Sequence, residues 1–226
     1  MNKSLLKYTY LIVSLLNLFS WAWFDGEFTY YTKPLLMPLL MLYMYEASKG
    51  GVILGTLLLF LALVFSWGGD LALMYEDYFL LGVGSFLLTQ LMYIVIFIKG
   101  FSKPFKISWA KTGLVAVYGC VLFYFLLPNA GELIIPIFVY GLTLLTMVAT
   151  ALMRDQDSPD RSYLLVAIGS VFFLLSDSMI ALDKFVTDIP LGDILIMATY
   201  LIAQYLIVEG LLREQQYANL QTTENQ

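Results

Sequence analysis

Long apolar runs fill nearly the whole chain, broken at short intervals by clusters of charged and turn-forming residues. Runs with the ~20 mostly apolar residues that a transmembrane helix needs lie near 6–24, 30–46, 52–75, 78–98, 111–128, 132–153, 162–182 and 191–212. The pattern predicts an all-α integral membrane protein, a bundle of about eight transmembrane helices forming a single membrane domain over 1–226. The polar, Gln-rich tail over 214–226 is expected to fray. The opening run is long, ends in Trp21-Ala22-Trp23-Phe24 and has no small-residue cleavage site, so it reads as a retained helix. The second run is the weakest, being interrupted by Lys33, Pro34 and Pro38. Membrane helices tolerate proline, and a lysine near a helix end can extend its ammonium to water.

Charge in the connecting segments sets an orientation. With the N-terminus inside, the inner segments hold Lys3, Lys7, Lys49, Lys99, Lys103, Lys106, Lys111, Arg154, Arg161 and Arg213, ten cations against Lys33 and Lys184 outside. Both termini are then inside, and a minimal chain of this kind suits the cytoplasmic membrane. The outer segments are otherwise acidic: Asp25, Glu27, Glu76, Asp77, Glu132, Asp183, Asp188 and Asp193. A parallel 4+4 repeat is a further expectation. Asp70 lies six residues before Glu76 and Asp177 six before Asp183, and the run after each carries a glutamine, Gln90 or Gln204. At 1.5 Å per residue both aspartates would sit about 9 Å below the outer charged ring, placed to face each other.

Composition narrows the chemistry. The 226 residues are 60% hydrophobic and 13% charged, against about 25% charged in soluble domains. The net charge of −5 comes with no basic patch, so nucleic acid is not an expected partner. Histidine is absent and Cys120 is the single cysteine. Serine–histidine triads, histidine or cysteine metal sites and internal disulfides are thereby excluded, and no metal or cofactor is expected. Acid–base work falls to carboxylates, Lys or Tyr. The spacing Gly51-x-x-x-Gly55 would let another helix pack closely, within or between subunits.

An ionisable group in a bilayer is costly and seldom idle, so Asp70 and Asp177 are the candidate catalytic residues. Asp70 follows Gly68-Gly69, and Asp177 lies between Ser176 and Ser178. The plain alternative for Asp70 is a structural carboxylate bonded to Lys33 or a tyrosine. Two carboxyl groups sharing a site of low dielectric can hold one proton between them, which would supply both an acid and an anion. The same pair could relay protons in a transporter. Gln90, Tyr93, Tyr140, Tyr200 and Gln204 must find hydrogen bonds in lipid, as interhelical glue or as substrate contacts. Lys33 and Lys184 are the candidate phosphate binders; the alternative pairs Lys184 with Asp183 or Asp188.

Several of these stretches resemble one family. They are Tyr31-Thr-Lys-Pro34, Gly69-Asp-Leu-Ala-Leu-Met74, Gly84-Ser-Phe-Leu-Leu-Thr-Gln-Leu-Met-Tyr93, Phe173-Leu-Leu-Ser-Asp-Ser-Met-Ile-Ala-Leu-Asp-Lys-Phe185 and Tyr200-Leu-Ile-Ala-Gln204. Together they are similar to the YhhN-like lysoplasmalogenase family of eight-helix membrane proteins, from the second helix to the eighth. The resemblance implies hydrolysis of the vinyl ether bond of a lysophospholipid, releasing a fatty aldehyde and a glycerophospho-alcohol. It places the family's motif aspartates on Asp70 and Asp177 and its Lys-Pro lysine on Lys33. One departure is Gln90, where many relatives carry histidine. Cleavage of a vinyl ether needs a proton donor to carbon and an anion beside the resulting cation, as in glycoside hydrolysis. With Lys33, the candidate substrate contacts read from the residues themselves are Gln90, Tyr93, Tyr140, Ser176, Lys184, Tyr200 and Gln204. The alternatives are a proton-coupled transporter using the same aspartates, an intramembrane aspartyl protease and a protein without turnover. The protease reading lacks the Tyr-Asp that would complete its signature.

Overall fold

A computed structural model describes residues 2–48, 54–99, 108–154 and 162–224. Among the described residues there are eight α-helices and no strand: α1 (Lys3–Trp23), α2 (Thr29–Ala47), α3 (Leu54–Ala72), α4 (Phe79–Lys99), α5 (Trp109–Leu126), α6 (Ile134–Leu152), α7 (Ser162–Phe185) and α8 (Gly192–Glu224). Seven of them are long and apolar enough to cross a membrane. The exception is α2, the helix carrying Lys33, Glu46, Pro34 and Pro38. The chain is an integral multi-pass membrane protein. Gly51 and the loop cations Lys49, Lys103, Lys106 and Arg161 lie outside the described residues.

The chain divides into two compact units, Met1–Ile96 with Gln215–Gln226, and Phe97–Glu214. The boundaries fall within α4 and α8. The first unit thus holds α1 to α3 and most of α4, and the second holds α5 to α7 and most of α8.

In the first unit, α1 and α2 meet through a tight turn. Asp25 and Gly26 take left-handed conformations, at φ 46° and φ 79°. Glycine is required at 26, because a Cβ there would lie 2.6 Å from the Trp21 ring. The buried face of α1 is Leu6 and four residues with polar atoms, Tyr10, Ser14, Asn17 and Ser20. Ser20 Oγ accepts the Phe28 amide at 2.9 Å, and Asn17 Nδ2 donates to Thr32 Oγ1 at 2.9 Å. The two prolines of α2 stand one turn apart. Pro38 has no N–H, so the carbonyl of Pro34 lacks its ordinary helical donor. The indole N–H of Trp67 on α3 serves it instead, at 2.9 Å. Two hydroxyls join α4 to α3: Ser85 donates to the Phe65 carbonyl at 2.6 Å, and Thr89 to the Ala62 carbonyl at 3.1 Å.

As far as Glu224, the tail expected to fray is helical. Glu, Gln and Ala are good helix formers, and no Gly or Pro interrupts 211–224. α8 therefore runs 33 residues, about 50 Å at 1.5 Å per residue, well beyond the ~30 Å hydrocarbon layer. Gln215 is buried, and Gln216 donates to the Ala47 carbonyl at the end of α2.

In the second unit, α7 and α8 approach backbone to backbone. A Cβ on Gly169 would lie 2.9 Å from the Ala203 carbonyl oxygen and 3.0 Å from the Ile207 nitrogen. On Gly210 it would lie 2.8 Å from the Ser162 carbonyl oxygen. Arg154, at the end of α6, is buried; it pairs with Glu214, and its guanidinium lies 5.4 Å from the Phe97 ring centroid.

Gly169→Ala is expected to cost about 1–3 kcal/mol of stability, as overpacking does, because backbone cannot step aside as a side chain can. Gly84 and Gly113 have open space where a Cβ would go, so alanine there is expected to be neutral or slightly stabilising. Thermal unfolding of the detergent-solubilised variants checks both; equal midpoints for Gly169→Ala and Gly84→Ala would contradict the packing argument.

Candidate functional site

Asp70 and Asp177 are both buried, at 3% and 7% exposure, Asp70 in the first unit and Asp177 in the second.

Asp70 lies in the last turn of α3, on a segment held from two sides. Ser66, one turn earlier, shares a 3.2 Å hydrogen bond with Thr89 of α4, while Trp67 reaches the Pro34 carbonyl of α2. Gly68 and Gly69 allow α4 to approach. A Cβ on Gly68 would lie 2.9 Å from Ser85 Oγ, and one on Gly69 would lie 2.6 Å from the Phe86 ring. The Gly-Gly before the carboxylate is thus a packing requirement that fixes α3 against α4. On α4, Gln90 and Tyr93 are fully buried. Lys33 is half-buried near the start of α2, and among the described residues it has no ion-pair partner. The alternative that bonds Asp70 to Lys33 is therefore not met.

Asp177 is surrounded by three helices of its own unit. Tyr140 of α6 donates its hydroxyl to Asp177 Oδ2 at 2.5 Å. Tyr118 of α5 donates to Ser178 Oγ at 3.0 Å, and Ser176 Oγ donates to the Ile196 carbonyl of α8 at 3.0 Å. The carboxylate and both of its neighbours in sequence are each bonded to a different helix. One to two turns further along α7, Ala181, Leu182 and Phe185 pack with Leu122, Leu126, Ala130 and Ile137 in an apolar layer. One turn before Asp177, Phe173 meets the ring of Tyr200 edge-on, with centroids 6.0 Å apart. Gln204, one turn after Tyr200, is fully buried.

Lys184 is exposed on the last turn of α7 and is not without a partner. Neighbouring Asp183 accepts the Ile189 amide at 2.7 Å and so organises the turn into α8. No group of three or more His, Cys, Asp or Glu that would hold a metal occurs among the described residues.

Residues 28–211 match the YhhN family. The chain belongs to that family. The lysoplasmalogenase TMEM86A of Homo sapiens is 32% identical over 185 residues, 76% of this chain and 73% of that protein. The lysoplasmalogenase TMEM86B of Rattus norvegicus is 29% identical over 174 residues, covering 77% of this chain and 69% of the relative. A lysoplasmalogenase of Mycobacterium bovis is 31% identical over 136 residues, 58% of this chain and 50% of its own length. No solved structure matches the chain. The YhhN match includes both aspartates, Lys33, Gln90 and Gln204, and leaves α1 outside it.

Sequence reading missed Trp67, Tyr118 and Asn17. For Trp67 there was half a signal: the Pro34–Pro38 spacing leaves a carbonyl in need of a donor, without saying which helix supplies it.

Tyr140→Phe is expected to lower stability by about 1.5–3 kcal/mol, the range for a hydrogen bond to a charged group, and Tyr118→Phe by about 1 kcal/mol, the neutral value. Unfolding midpoints in detergent test the order; a larger loss at Tyr118 would contradict it.

Proposed function

We propose that this YhhN-family protein is a lysoplasmalogenase, hydrolysing the vinyl ether bond of a lysophospholipid within the membrane. The observation that carries the reading is the family match over 28–211 together with relatives of that name in mammals and mycobacteria. The buried carboxyl groups fit it, because the reaction needs proton transfer to carbon and no metal. Nothing in the comparisons favours the transport alternative.

The chemistry can be balanced with water alone. A proton adds to the outer alkene carbon and leaves an oxocarbenium ion across the ether carbon and oxygen. Water attacks that carbon and loses a proton, giving a hemiacetal. The hemiacetal collapses to a fatty aldehyde and the free glycerol hydroxyl of the glycerophospho-alcohol. Donors and anions poised where charge develops are the main source of acceleration in such a step, and a positioned acid or base contributes about 10²–10⁴-fold.

Asp70 and Asp177, both buried, are the proposed catalytic carboxyl groups. Tyr140 orients Asp177 through its hydroxyl. Gln90, Tyr93, Ser176, Tyr200 and Gln204 are proposed to line or support the substrate site. Lys33 is proposed to hold the phosphate, its ammonium being unpaired among the described residues. Lys184, already engaged, is the weaker phosphate ligand. The excess of loop Lys and Arg on one side by chain order fits a site opening to the outer face of the cytoplasmic membrane.

Asp70→Asn and Asp177→Asn are each expected to lower aldehyde release from a lysoplasmalogen by about 10²-fold or more, with unfolding midpoints close to the parent. Purified protein in detergent, assayed for fatty aldehyde, decides it. A well-folded parent that releases none would overturn the reading, and full activity in either asparagine variant would remove that residue from it.

A further inference from the structure

Lys33 sits between two residues that are each held by a side chain from another helix. Thr32 accepts the Asn17 amide of α1 at 2.9 Å, and the Pro34 carbonyl accepts the Trp67 indole N–H of α3 at 2.9 Å. The second bond exists because of the sequence of α2. Pro38 cannot donate to the Pro34 carbonyl, and its ring crowds that same oxygen, which loosens the helix at this turn. A carbonyl released in a membrane helix has to be served again by the protein. Trp67 does this while standing on the turn that leads to Asp70. Asn17, in turn, is fully buried on the polar face of α1, a helix outside the YhhN match.

We propose that Trp67 is a positioning residue for substrate binding, with Asn17 as its counterpart on α1, together fixing where Lys33 presents its ammonium to the phosphate of the lysolipid. The inference rests on the reading of Lys33 as the phosphate ligand. Trp67 does not touch the reacting atoms; its indole N–H replaces the amide that Pro38 lacks and stops the first turns of α2 from swinging about Pro34. An ammonium on a flexible stem gains affinity when its base is held, since less freedom is lost on binding. The effect therefore belongs to substrate affinity and only to substrates with a phosphate.

The test uses full-length protein in detergent and two vinyl ether substrates, a lysoplasmalogen and the corresponding 1-alkenylglycerol without phosphate. Lys33→Gln and Trp67→Phe are each expected to raise KM for the lysoplasmalogen by about tenfold with kcat within about twofold, the signature of lost uniform binding. Neither should change KM for the alkenylglycerol. In a Pro38→Ala background, where residue 38 regains its N–H, adding Trp67→Phe should have no further effect, a coupling that a double-mutant cycle reads directly. Asn17→Leu should shift KM in the same direction as Trp67→Phe.

If Lys33→Gln raises KM and Trp67→Phe does not, or if Trp67→Phe affects both substrates alike, the positioning role is overturned while Lys33 stands. If Lys33→Gln leaves KM for the lysoplasmalogen unchanged, the phosphate reading falls and the inference with it. Should Trp67→Phe fail to fold, the Pro38→Ala/Trp67→Phe protein takes its place. Recovery of folding there supports the carbonyl argument, and failure to recover overturns it.

Discussion

A polar group inside a bilayer has to find its partner within the protein, because lipid offers none. Much of the polar organisation of this chain answers that demand. Hydroxyls of Ser85, Thr89 and Ser176 donate to carbonyls of neighbouring helices, and a tryptophan supplies the donor that a proline cannot. These bonds do more than offset desolvation. Each fixes the rotation and the height of one helix against another, which is what a buried carboxylate needs if it is to meet a substrate at a defined place. The same device recurs in both units. Asp177 has its two sequence neighbours bonded to α5 and α8, and Lys33 has its own bonded to α1 and α3. In each case the residue proposed to act is held through the residues beside it, and Asp177 is held by Tyr140 as well.

Close packing supplies the second constraint. Helices in lipid gain no hydrophobic driving force from one another, so they associate where backbones can come near. Gly169 and Gly210 mark such a line between α7 and α8, and Gly68-Gly69 marks another between α3 and α4. Both lines run along helices that bear a buried aspartate.

The eight helices were legible in the sequence because each begins as a mostly apolar run ended by charge or by a turn, though α2 is not apolar enough to count with the seven candidate spans. The two aspartates were legible because nothing else charged lies near them in the runs. Their partners were not. Tyr118 and Tyr140 look alike among 16 tyrosines, and only the rotation of α5 and α6 decides that one meets Ser178 and the other Asp177. Asn17 lies in a run that composition describes merely as apolar, and its role appears once α1 and α2 are paired. The tail was misread for a different reason. Hydropathy ends the eighth span near Leu212, but helix propensity does not, and Glu, Gln and Ala carry α8 on to Glu224. Arg154 was expected among the loop cations and is instead buried against Glu214 and Phe97.

The polar face of α1 has a bearing on how the protein is made. Asn17, Ser14 and Ser20 are hidden once α2 is in place, yet α1 leaves the ribosome first and would present them to lipid if it entered the membrane alone. α2 is a poor entrant by itself, with Lys33, Glu46 and two prolines in its length. The five-residue turn between Trp23 and Thr29 lets each hide the other's defects at once. The physics favours handing both helices to the membrane as one hairpin, so that their insertion is already a tertiary contact.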